Sequence, residues 1–513
     1  MPRRRLLLAL LAAVTTAPAV ARADDLPLGP AGLPETRQTQ TVAPGVTETE
    51  IVRGTTSEDQ FFVVDLGFTL DRAAAEGNAA RARAEGLDAR VVTVDLHPPD
   101  AAAPGPTAYL VRIGRFGSAA EAQPTADRLN AEGYPAVHVD YTGDDGTPTG
   151  GPWRIHVLDV DPQRFDGSVQ PVLATDVVPE RETLTSMDAR TGALAGINGG
   201  YFVIGATDGT PGDLAGISVL GGDLVSEAVT GRTSLVLPFR TGAGAAVAPL
   251  STALSVRAAD GARREVDGRN RRPGLIRACG GTGGDRPTEQ PLHDVTCTDP
   301  SELIQFTPAF GPTTDPASEV EAVLDGRGRV VEVRGPGGPI PAGGSVLAGT
   351  GDGAAWLRAH ARPGTRLKVD VHMTSGAFRV PLSPGLDVVN GGPRLLARGR
   401  PAITAAAEGF VHPGDPEFFY RFGVRRNPRT LAGVTRDGHL LLVAVDGRAP
   451  GYSDGLSFPE SADLIRALGA RDALNLDGGG STTFTLGTTL LTRPSDATGE
   501  RPIGDAVVLL AGR

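Results

Sequence analysis

The sequence is poor in several residue types that define other classes of protein. Its 513 residues include two cysteines, which allow at most one disulfide within the chain, and eight scattered histidines. The histidines therefore do not indicate a two-metal catalytic centre. Beyond the N-terminus no apolar run is long enough to cross a bilayer, so we expect no membrane span in the mature chain. Lys368 is the one lysine, and every other basic side chain is an arginine.

The N-terminus has the features of a secretory signal peptide. Residues 1–23 combine three early arginines, an apolar run that starts at Leu6, and a small-x-small ending at Ala23. Such a segment is too short to serve as a membrane anchor. We therefore predict a secreted, extracellular protein. Cleavage removes four arginines and no acidic residue, which changes the net charge from −11 to −15, so a nucleic-acid partner is not expected.

The two cysteines, Cys279 and Cys297, lie in a segment rich in glycine, proline and aspartate. An even count in an exported chain favours a disulfide between them. A metal site is the alternative, but it requires further ligands, and His293 is the single histidine between the two cysteines.

Two similar segments follow the N-terminal region. Residues 24–58 mix Pro, Thr, Gly and Glu without a sustained period, which predicts a linker. Residues 61–95 and 108–140 then share one order of apolar strand, Gly and Phe, Ala-rich helix, "AEG" and strand. Gly86 and Gly133 stand where the two helices would end. The pattern predicts a small duplicated βαβ module, of the α+β class, with its helices on one face of a sheet.

This module, residues 59–145, resembles the sporulation-related repeat (SPOR) domain. The stretch "YLVRIGRFGSAAEAQPTADRLNAEGYPAVHV" carries the resemblance. It implies a domain that binds peptidoglycan glycan strands stripped of their stem peptides, and hence a protein associated with the bacterial cell wall. A ferredoxin-like module without affinity for the wall is the alternative. A Gly- and Pro-rich break at 142–152 ends the module.

Residues 153–513 alternate short β-rich runs with glycine turns, which predicts a large β-rich, mixed α/β domain. One helix is indicated at "SFPESADLIRALG", where Ser457 and Glu460 can form a capping box and Gly469 can end the helix. The helix lies between "HLLLVAVDGR" (439–448) and "ALNLDGGG" (473–480). A strand, helix, strand order normally places two parallel strands in one sheet.

Two carboxylates, Asp446 and Asp477, end these strands, so we expect them to meet at one edge of the sheet, where α/β proteins usually bind ligands. If the strands are direct neighbours, about 4.8 Å apart, the carboxylates fall within the separation of paired glycosidase acids, roughly 5 to 9.5 Å. The glycines after Asp477 would leave backbone N–H groups free to face an anion. A bare structural loop is the alternative.

Three further segments strengthen the functional interpretation: "AGINGGYF" (195–202), "VVNGGPRLL" (388–396) and "RRNPRTLAGV" (425–434). Each of the first two joins an asparagine to two glycines, and the third supplies arginines directly before a strand. A hairpin turn is the alternative for each Asn-Gly pair.

Together with "LLLVAVDGR", "ALNLDGGGSTTF" and the closing "ERPIGDAVVLL", these segments resemble the phosphodiester glycosidase family, over about residues 153–513. The resemblance implies a hydrolase that releases a sugar from a sugar-1-phosphodiester such as one of GlcNAc. It assigns Asp477 and Asp446 to catalysis and the following residues to substrate and phosphate binding: Asn198, Gly199, Gly200, Asn390, Gly391, Arg429, Thr430, Gly478, Gly479, Ser481 and Thr482. The family usually has an asparagine where this chain has Asp505.

Breaking the bond from the sugar to phosphate develops positive charge at the anomeric carbon, and an arginine fork can hold two phosphate oxygens. We assign that fork to Arg429. The sequence establishes no cofactor, and Asp446, Asn475 and Asp477 could hold a hard cation such as calcium. Two other functions stay open: a catalytically inert protein that binds wall glycan, and a metal-dependent phosphodiesterase that cuts the P–O bond.

Overall fold

The computed structural model describes residues 25–101, 107–229, 231–237, 244–276, 284–291, 295–412 and 414–512. The predicted signal peptide at 1–23 and Cys279 lie outside these residues. Both the cleavage and the disulfide therefore stay predictions.

The described part of the chain is β-rich with few helices, in agreement with the predicted mixed fold. The α-helices are α1 (Arg72–Ala84), α2 (Ala119–Ala131), α3 (Leu184–Thr191), α4 (Gly351–His360), α5 (Pro416–Phe419) and α6 (Phe458–Ala467), and a π-helical turn (Tyr420–Val424) follows α5. The strands are β1 (Glu35–Ala43), β2 (Val46–Arg53), β3 (Phe62–Thr69), β4 (Ala89–Asp95), β5 (Thr107–Phe116), β6 (His138–Tyr141), β7 (Trp153–Val160), β8 (Ser168–Leu173), β9 (Ala195–Asn198), β10 (Ser218–Leu220), β11 (Asp223–Ser226), β12 (Thr233–Leu237), β13 (Ala246–Pro249), β14 (Ser251–Ala258), β15 (Arg263–Val266), β16 (Gly268–Arg269), β17 (Leu275–Ile276), β18 (Arg286–Pro291), β19 (Val295–Thr298), β20 (Leu303–Phe306), β21 (Val320–Leu324), β22 (Val330–Arg334), β23 (Ser345–Gly349), β24 (Leu367–Ser375), β25 (Phe378–Val380), β26 (Asp387–Asn390), β27 (Arg394–Ala397), β28 (Arg400–Pro401), β29 (Arg429–Thr435), β30 (Leu440–Val445), β31 (Ala470–Asn475), β32 (Phe484–Leu486), β33 (Thr489–Leu490) and β34 (Asp505–Leu510).

Two facing sheets form the part of the fold that positions the site. An eight-stranded sheet has the order β1-β2-β7-β30-β29-β31-β27-β28, and a five-stranded sheet has the order β33-β32-β9-β34-β8. Leu442 and Ala444 of the first sheet pack with Ile197 and Val507 of the second. The alternate residues of β30 face a cluster that includes Ile465 of α6. Because β30 is covered on both faces, all six of its residues are buried and apolar.

Residues 24–58 are not the linker that their composition predicted. β1 and β2 pair as an antiparallel hairpin, and β2 pairs with β7 from Val46–Val160 to Arg53–Trp153. The period-two pattern in "VTETEIVR", which alternates Val and Ile with polar residues, is the signal for a half-buried strand that the composition concealed. The hairpin therefore belongs to the eight-stranded sheet.

The predicted SPOR-like module lies between β2 and β7 in the chain. It contains β3, α1, β4, β5, α2 and β6, and its sheet has the order β4-β5-β3-β6. Asp71 and Ser118 cap the two helices through their side chains. Gly86 and Gly133 adopt positive φ after the helix ends, as predicted. Each half thus has the order strand, helix, strand, while duplication as the origin stays a prediction.

The strands β30 and β31 run in the same direction but are not neighbours. Both pair antiparallel with β29, which lies between them. The expectation that they are direct neighbours is therefore wrong. β29 precedes β30 in the chain and takes the position next to both β30 and β31 in the sheet. The helix between them is as predicted: Ser457 and Glu460 form a capping box.

The middle of the chain, from 218 to 390, supplies further sheets with the orders β11-β10-β26-β12-β13, β15-β14-β24-β25, β16-β20-β23-β21-β22 and β17-β19-β18. Apolar residues of several of these strands pack with α4 in one cluster, which includes Leu254, Leu347 and Leu357. None of the helices in the described ranges has the length and apolar character that a bilayer span requires.

Candidate functional site

The predicted site residues gather at one edge of the two facing sheets. β9 ends at Asn198, β29 begins at Arg429, β31 is followed by Asp477, and β34 begins at Asp505. Because β34 pairs with β9 so that Ala506 lies opposite Asn198, and β29 runs antiparallel to β31, these strand ends lie on the same side of the molecule. β30 and β31 thus end on the same side of the sheet, as the sequence predicted, although each pairs antiparallel with β29 and not with the other.

Asn198 connects three segments of this edge through its side chain. Its Nδ2 donates a hydrogen bond to the backbone oxygen of Asp477 (2.7 Å), and its Oδ1 accepts one from the hydroxyl of Thr430 (2.6 Å). The backbone N–H of Thr483 donates to the same Oδ1 (3.1 Å), and the hydroxyls of Thr430 and Thr482 lie 3.4 Å apart. All of these residues are buried. The network therefore fixes the loop that carries Asp477.

The two Asn-Gly-Gly turns also hold one another. Asn390 Oδ1 accepts a hydrogen bond from the backbone N–H of Tyr201 (2.8 Å), and a Cβ added to Gly200 would overlap the side-chain amide of Asn390. A Cβ on Gly391 would lie 2.8 Å from the backbone oxygen of Asn475. Asn390, Gly200 and Gly391 thus permit close packing of buried backbone, which is a structural role.

Most backbone N–H groups of the glycine loop after Asp477 donate to oxygen atoms of the protein itself. The backbone N–H of Gly478 donates to Asp477 Oδ1 (2.8 Å), that of Gly479 to the oxygen of Pro428 (2.9 Å), and that of Ser481 to the oxygen of Gly478 (3.2 Å). The expectation that these N–H groups are free for an anion is therefore wrong for Gly478 and Gly479. Instead, the glycines allow neighbouring side chains to approach the loop.

Arg429, the predicted phosphate fork, is buried. Its Nε donates to the backbone oxygen of Leu456 (2.9 Å) and its Nη2 to that of Phe422 (2.5 Å). The guanidinium also lies over the ring of Phe458, 4.5 Å from its centroid. Burial lowers the pKa of Arg429 to about 9. Its Nε and Nη2 donors are therefore bound to backbone oxygens inside the fold, which does not support Arg429 as the phosphate fork.

Two other arginines lie against the outer side of the loop. Arg448 is exposed, and a Cβ on Gly479 would be 3.4 Å from its Nη1 and Nη2. Arg501 is half-buried, its Nη1 lies 3.4 Å from the hydroxyl of Ser481, and a Cβ on Gly480 would overlap its guanidinium. Desolvation and the repulsion from Arg501 lower the pKa of Arg448. Two cations thus converge on the glycine loop.

The positions of these arginines are fixed by local contacts. Arg501 pairs with Asp496, with N···O distances of 2.7 and 2.9 Å, and Arg448 donates from Nε and Nη2 to Asn427 Oδ1. Both arginines stand in the motifs "LLLVAVDGR" and "ERPIGDAVVLL", but neither was predicted as a site residue. Their positions in the sequence could have indicated them, because Arg448 follows the end of β30 and Arg501 precedes β34, at the strand ends that carry the other site residues.

Asp446 and Asp477 are both buried, with 1% and 4% of their surface exposed. Asp446 Oδ1 accepts a hydrogen bond from the backbone N–H of Arg493 (2.9 Å), and burial raises its pKa to about 6. Because β29 separates their strands, β30 and β31 lie about 9.6 Å apart, which is two strand spacings. The two acids therefore end strands of one sheet edge but not adjacent strands.

Asp505 is another buried acid at this edge, and it lies beside the turn at Gly199 and Gly200. It is buried, and its Oδ1 accepts a hydrogen bond from the backbone N–H of Gly200 (2.8 Å). A Cβ on Gly199 would overlap the carboxylate. Burial raises the pKa of Asp505 to about 7, and the negative charge of Asp477 adds to this shift. Near neutral pH the protonated acid can donate a hydrogen bond, as an asparagine at this position would.

The three residues named for a cation do not form one set of ligands. Asn475 Nδ2 donates to the hydroxyl of Tyr201 (2.8 Å), on the face of the sheet that α6 covers. Asp446 shares the opposite face with Ala444, since side chains alternate along a strand. Within the described residues no group of three or more His, Cys, Asp or Glu side chains is placed to hold a metal ion.

Of the two cysteines, Cys297 lies buried in β19. Its predicted partner Cys279 lies outside the described residues. No cysteine within those residues is free, and the pairing stays a prediction.

Two family models match the chain. The model for phosphodiester glycosidases matches residues 318–510, and the model for SPOR domains matches residues 58–140. N-acetylglucosamine-1-phosphodiester alpha-N-acetylglucosaminidase from Mus musculus is 41% identical over 78 residues, which cover 15% of this chain and 15% of the mouse enzyme. The enzyme of the same name from Homo sapiens is 41% identical over 68 residues, 13% of each chain.

Among solved structures, a predicted exported protein from Burkholderia pseudomallei is 35% identical. The match covers 95% of this chain and 98% of that chain, with a TM-score of 0.86. A Synechocystis protein is 19% identical, with 92% and 79% coverage and a TM-score of 0.54, a likeness that concerns the fold alone. The match to the glucosaminidases, in contrast, spans only about a seventh of their length.

Proposed function

Because residues 318–510 belong to the phosphodiester glycosidase family and residues 58–140 are a SPOR domain, we propose that this protein is a hydrolase of sugar-1-phosphodiesters at the bacterial cell wall. The bond cleaved is the glycosidic C–O bond of a substrate such as a GlcNAc-1-phosphodiester. The protein is exported through its N-terminal segment, and the SPOR domain binds wall glycan. The disulfide between Cys279 and Cys297 belongs to this proposal, since export leads to an oxidising compartment.

The convergence of Arg448 and Arg501 on the glycine loop is the observation that carries the proposal. In a chain whose formal net charge is −11, two arginines share one small site beside a buried carboxylate. Guanidinium groups suit phosphate because their N–H donors match its oxygens in pairs. We therefore place the phosphodiester on Arg448 and Arg501, with the hydroxyl of Ser481 beside them.

The sugar then lies toward Asp477, which the Asn198 network holds in place. As the C–O bond to phosphate breaks, the bonding electrons leave with the phosphate oxygen, and the anomeric carbon gains positive charge. The arginines stabilise the departing phosphomonoester, and Asp477 acts on the anomeric carbon as a nucleophile or as the base for a water molecule. Asp446, with a pKa of about 6, is a second candidate for proton transfer.

A comparison of two substrates tests the placement of the phosphate. Arg448→Ala should reduce kcat/KM for a GlcNAc-1-phosphodiester by about 10 to 10²-fold, since a charge-assisted contact is worth roughly 1.5 to 3 kcal/mol. The same variant should change kcat/KM for an uncharged aryl N-acetylglucosaminide by less than about 3-fold, because that substrate has no phosphate to bind.

Arg436→Ala is the matched control, because Arg436 is exposed in the turn between β29 and β30 at the opposite end of those strands. It should leave both substrates unchanged. An equal loss of kcat/KM for both substrates in Arg448→Ala would show that Arg448 does not bind the phosphate.

A further inference from the structure

The SPOR domain packs against the rest of the chain. One face of its sheet packs on α1 and α2, as in the cluster of Val64, Ala79 and Leu129. The other face contacts the segment 416–425: Phe68 stacks on Tyr420 with ring centroids 5.3 Å apart, and Leu110 packs in the same cluster. The outer face of this sheet is therefore at least partly covered within the molecule.

Arginines of the glycosidase domain fix the orientation of the SPOR domain. Arg425 pairs with Asp140 at 3.3 Å. Arg426 donates from Nη1 to the backbone oxygen of Gly143 and from Nη2 to that of Thr147, both at 2.8 Å. Both arginines are buried. Such desolvated contacts hold two surfaces in one register rather than permit them to slide.

An interdomain cleft of about 530 Å³ lies between the two surfaces. This volume is in the range of ligand-binding pockets. The SPOR domain lines the cleft with Phe62, Val139 and Tyr141, and the glycosidase domain lines it with Arg425 and Arg448. Arg448 also lies against the glycine loop. The interdomain cleft and the proposed phosphate site therefore share the side chain of Arg448.

Two buried polar atoms in residues that line the cleft make no hydrogen bond within the structure. They are Oδ1 of Asp144 and Nη1 of Arg425, in residues that are 8% and 6% exposed. Buried polar groups normally have a hydrogen-bond partner, so we expect a bound molecule to supply one for each of these two atoms. One is an acceptor and the other a donor. A ligand that satisfies both needs groups that donate and accept, which is the property of sugar hydroxyls.

We propose that the interdomain cleft binds a saccharide unit of a polymeric glycan substrate whose phosphodiester lies on Arg448 and Arg501. The SPOR domain is then a wall of the substrate site and not only an anchor. Phe62, Val139 and Tyr141 cover the apolar side of the sugar, while Asp144 and Arg425 bind its hydroxyls. The substrate class follows: a phosphate-bearing polysaccharide is preferred to a small sugar phosphodiester. The reaction part of this inference rests on the proposed function, whereas the binding part does not.

A pair of neighbouring residues on α2 offers a direct test. Ala119 is exposed and lines the interdomain cleft, whereas Ala120 is equally exposed and does not line it. Ala119→Trp should narrow the cleft without altering a buried contact, and Ala120→Trp is the matched control. The probe for binding is soluble glycan strands released from peptidoglycan by an amidase, measured by isothermal titration calorimetry on the full chain.

Ala119→Trp should weaken binding of these strands by about tenfold or more, and Ala120→Trp should not, because a blocked pocket loses its buried contacts. Ala119→Trp should also raise KM for wall polysaccharide that carries GlcNAc-1-phosphodiester groups, with KM for a small GlcNAc-1-phosphodiester unchanged. Wild-type affinity for the strands in Ala119→Trp would overturn the inference. Loss of binding in a protein that hydrolyses no sugar phosphodiester would instead overturn the proposed function and leave the interdomain cleft as a glycan site.

Discussion

At the scale of single residues, the site separates groups that hold the fold from groups that face a ligand. Asn198, Thr430 and Thr482 bind one another and the loop backbone, and Arg429 binds carbonyl oxygens in the interior. Arg448 and Arg501 keep their guanidinium groups at the outer side of the loop. A sequence motif contains both kinds of residue, because it holds no information on where each side chain points.

Asp477→Asn tests the carboxylate at the centre of the site. The variant keeps the acceptor for the N–H of Gly478 but loses the charge that would stabilise the anomeric centre. We expect kcat for a GlcNAc-1-phosphodiester to fall by about 10² to 10⁴-fold, the usual size of acid/base and electrostatic contributions. Asp463→Asn, on the exposed side of α6, serves as the control. A folded Asp477→Asn protein with wild-type turnover would show that the loop is structural.

Asp505→Asn tests the buried acid beside Gly200 through stability. The pKa of Asp505 is about 7 in the folded protein and near the ordinary 3.8 of an aspartate when the chain is unfolded. The folded state therefore holds the proton more tightly, and the buried charge costs stability progressively as pH rises from about 4 through 7. Since Asn does not titrate, the variant should have a higher Tm than wild type at pH 8, on the order of 5 °C.

The Tm difference between Asp505→Asn and wild type should shrink toward pH 5, where Asp505 is largely protonated. Thermal unfolding at pH 5, 6 and 8 measures it, with the exposed Asp127→Asn as the control. A Tm difference that does not change with pH would mean that Asp505 keeps an ordinary pKa.

At the scale of elements, local patterns predicted helices and strands better than their arrangement. The capping box at Ser457 and Glu460, the apolar strand β30 and the two strand-helix-strand halves of the SPOR domain are all present. Each depends on interactions within a few residues. The position of β29 between β30 and β31 depends instead on a long-range pairing, which periodicity does not encode.

The hairpin of β1 and β2 shows the same limit. Composition predicted a linker, but the segment gains its structure from pairing with β7, a hundred residues further along the chain. For the site, the sequence predicted that Asp446 and Asp477 follow strands that end on the same side of one sheet, and the structure shows this arrangement. The direction in which the Arg429 side chain points could not be predicted, because it is decided by packing against Phe422 and Phe458.

Gly480→Ala tests the role of the glycine loop as a surface for Arg501. The added methyl group would overlap the ends of the Arg501 and Asp496 side chains, which can move aside without unfolding the loop. We expect KM for a GlcNAc-1-phosphodiester to rise by about 10 to 10²-fold, because a displacement near 1 Å at a positioned group has an effect of this size.

Gly77→Ala, which adds a methyl group to open space on α1, should leave KM unchanged. Wild-type KM in Gly480→Ala would show that Arg501 does not contact the substrate.

At the scale of the whole molecule, the SPOR domain is an insertion between two strands that pair with each other. Its two connections meet where the backbone N–H of Thr55 donates to the oxygen of Gly150 (3.0 Å). A short Gly-Ser linker can therefore replace residues 59–145 without straining β2 and β7. Removal leaves the buried Arg425 and Arg426 without the partners that the SPOR domain supplies.

We expect this deletion to lower the Tm of the remaining protein by about 5 °C or more, since breaking buried pairs typically costs several kcal/mol. Differential scanning calorimetry of the deletion variant against the full chain measures the change. Coincident Tm values would mean that the interdomain contacts add nothing to stability, and that the two domains behave as independent units.

The proposed function requires that the bond between the anomeric carbon and the phosphate oxygen is the bond that breaks. Hydrolysis of a GlcNAc-1-phosphodiester in ¹⁸O-labelled water tests it most directly, because the solvent oxygen enters the fragment whose bond is broken. Mass spectrometry of both products from one reaction with the full chain should find the label in the free sugar and none in the phosphomonoester. Label in the phosphate would mean P–O cleavage and would contradict the proposed cleavage of the glycosidic C–O bond.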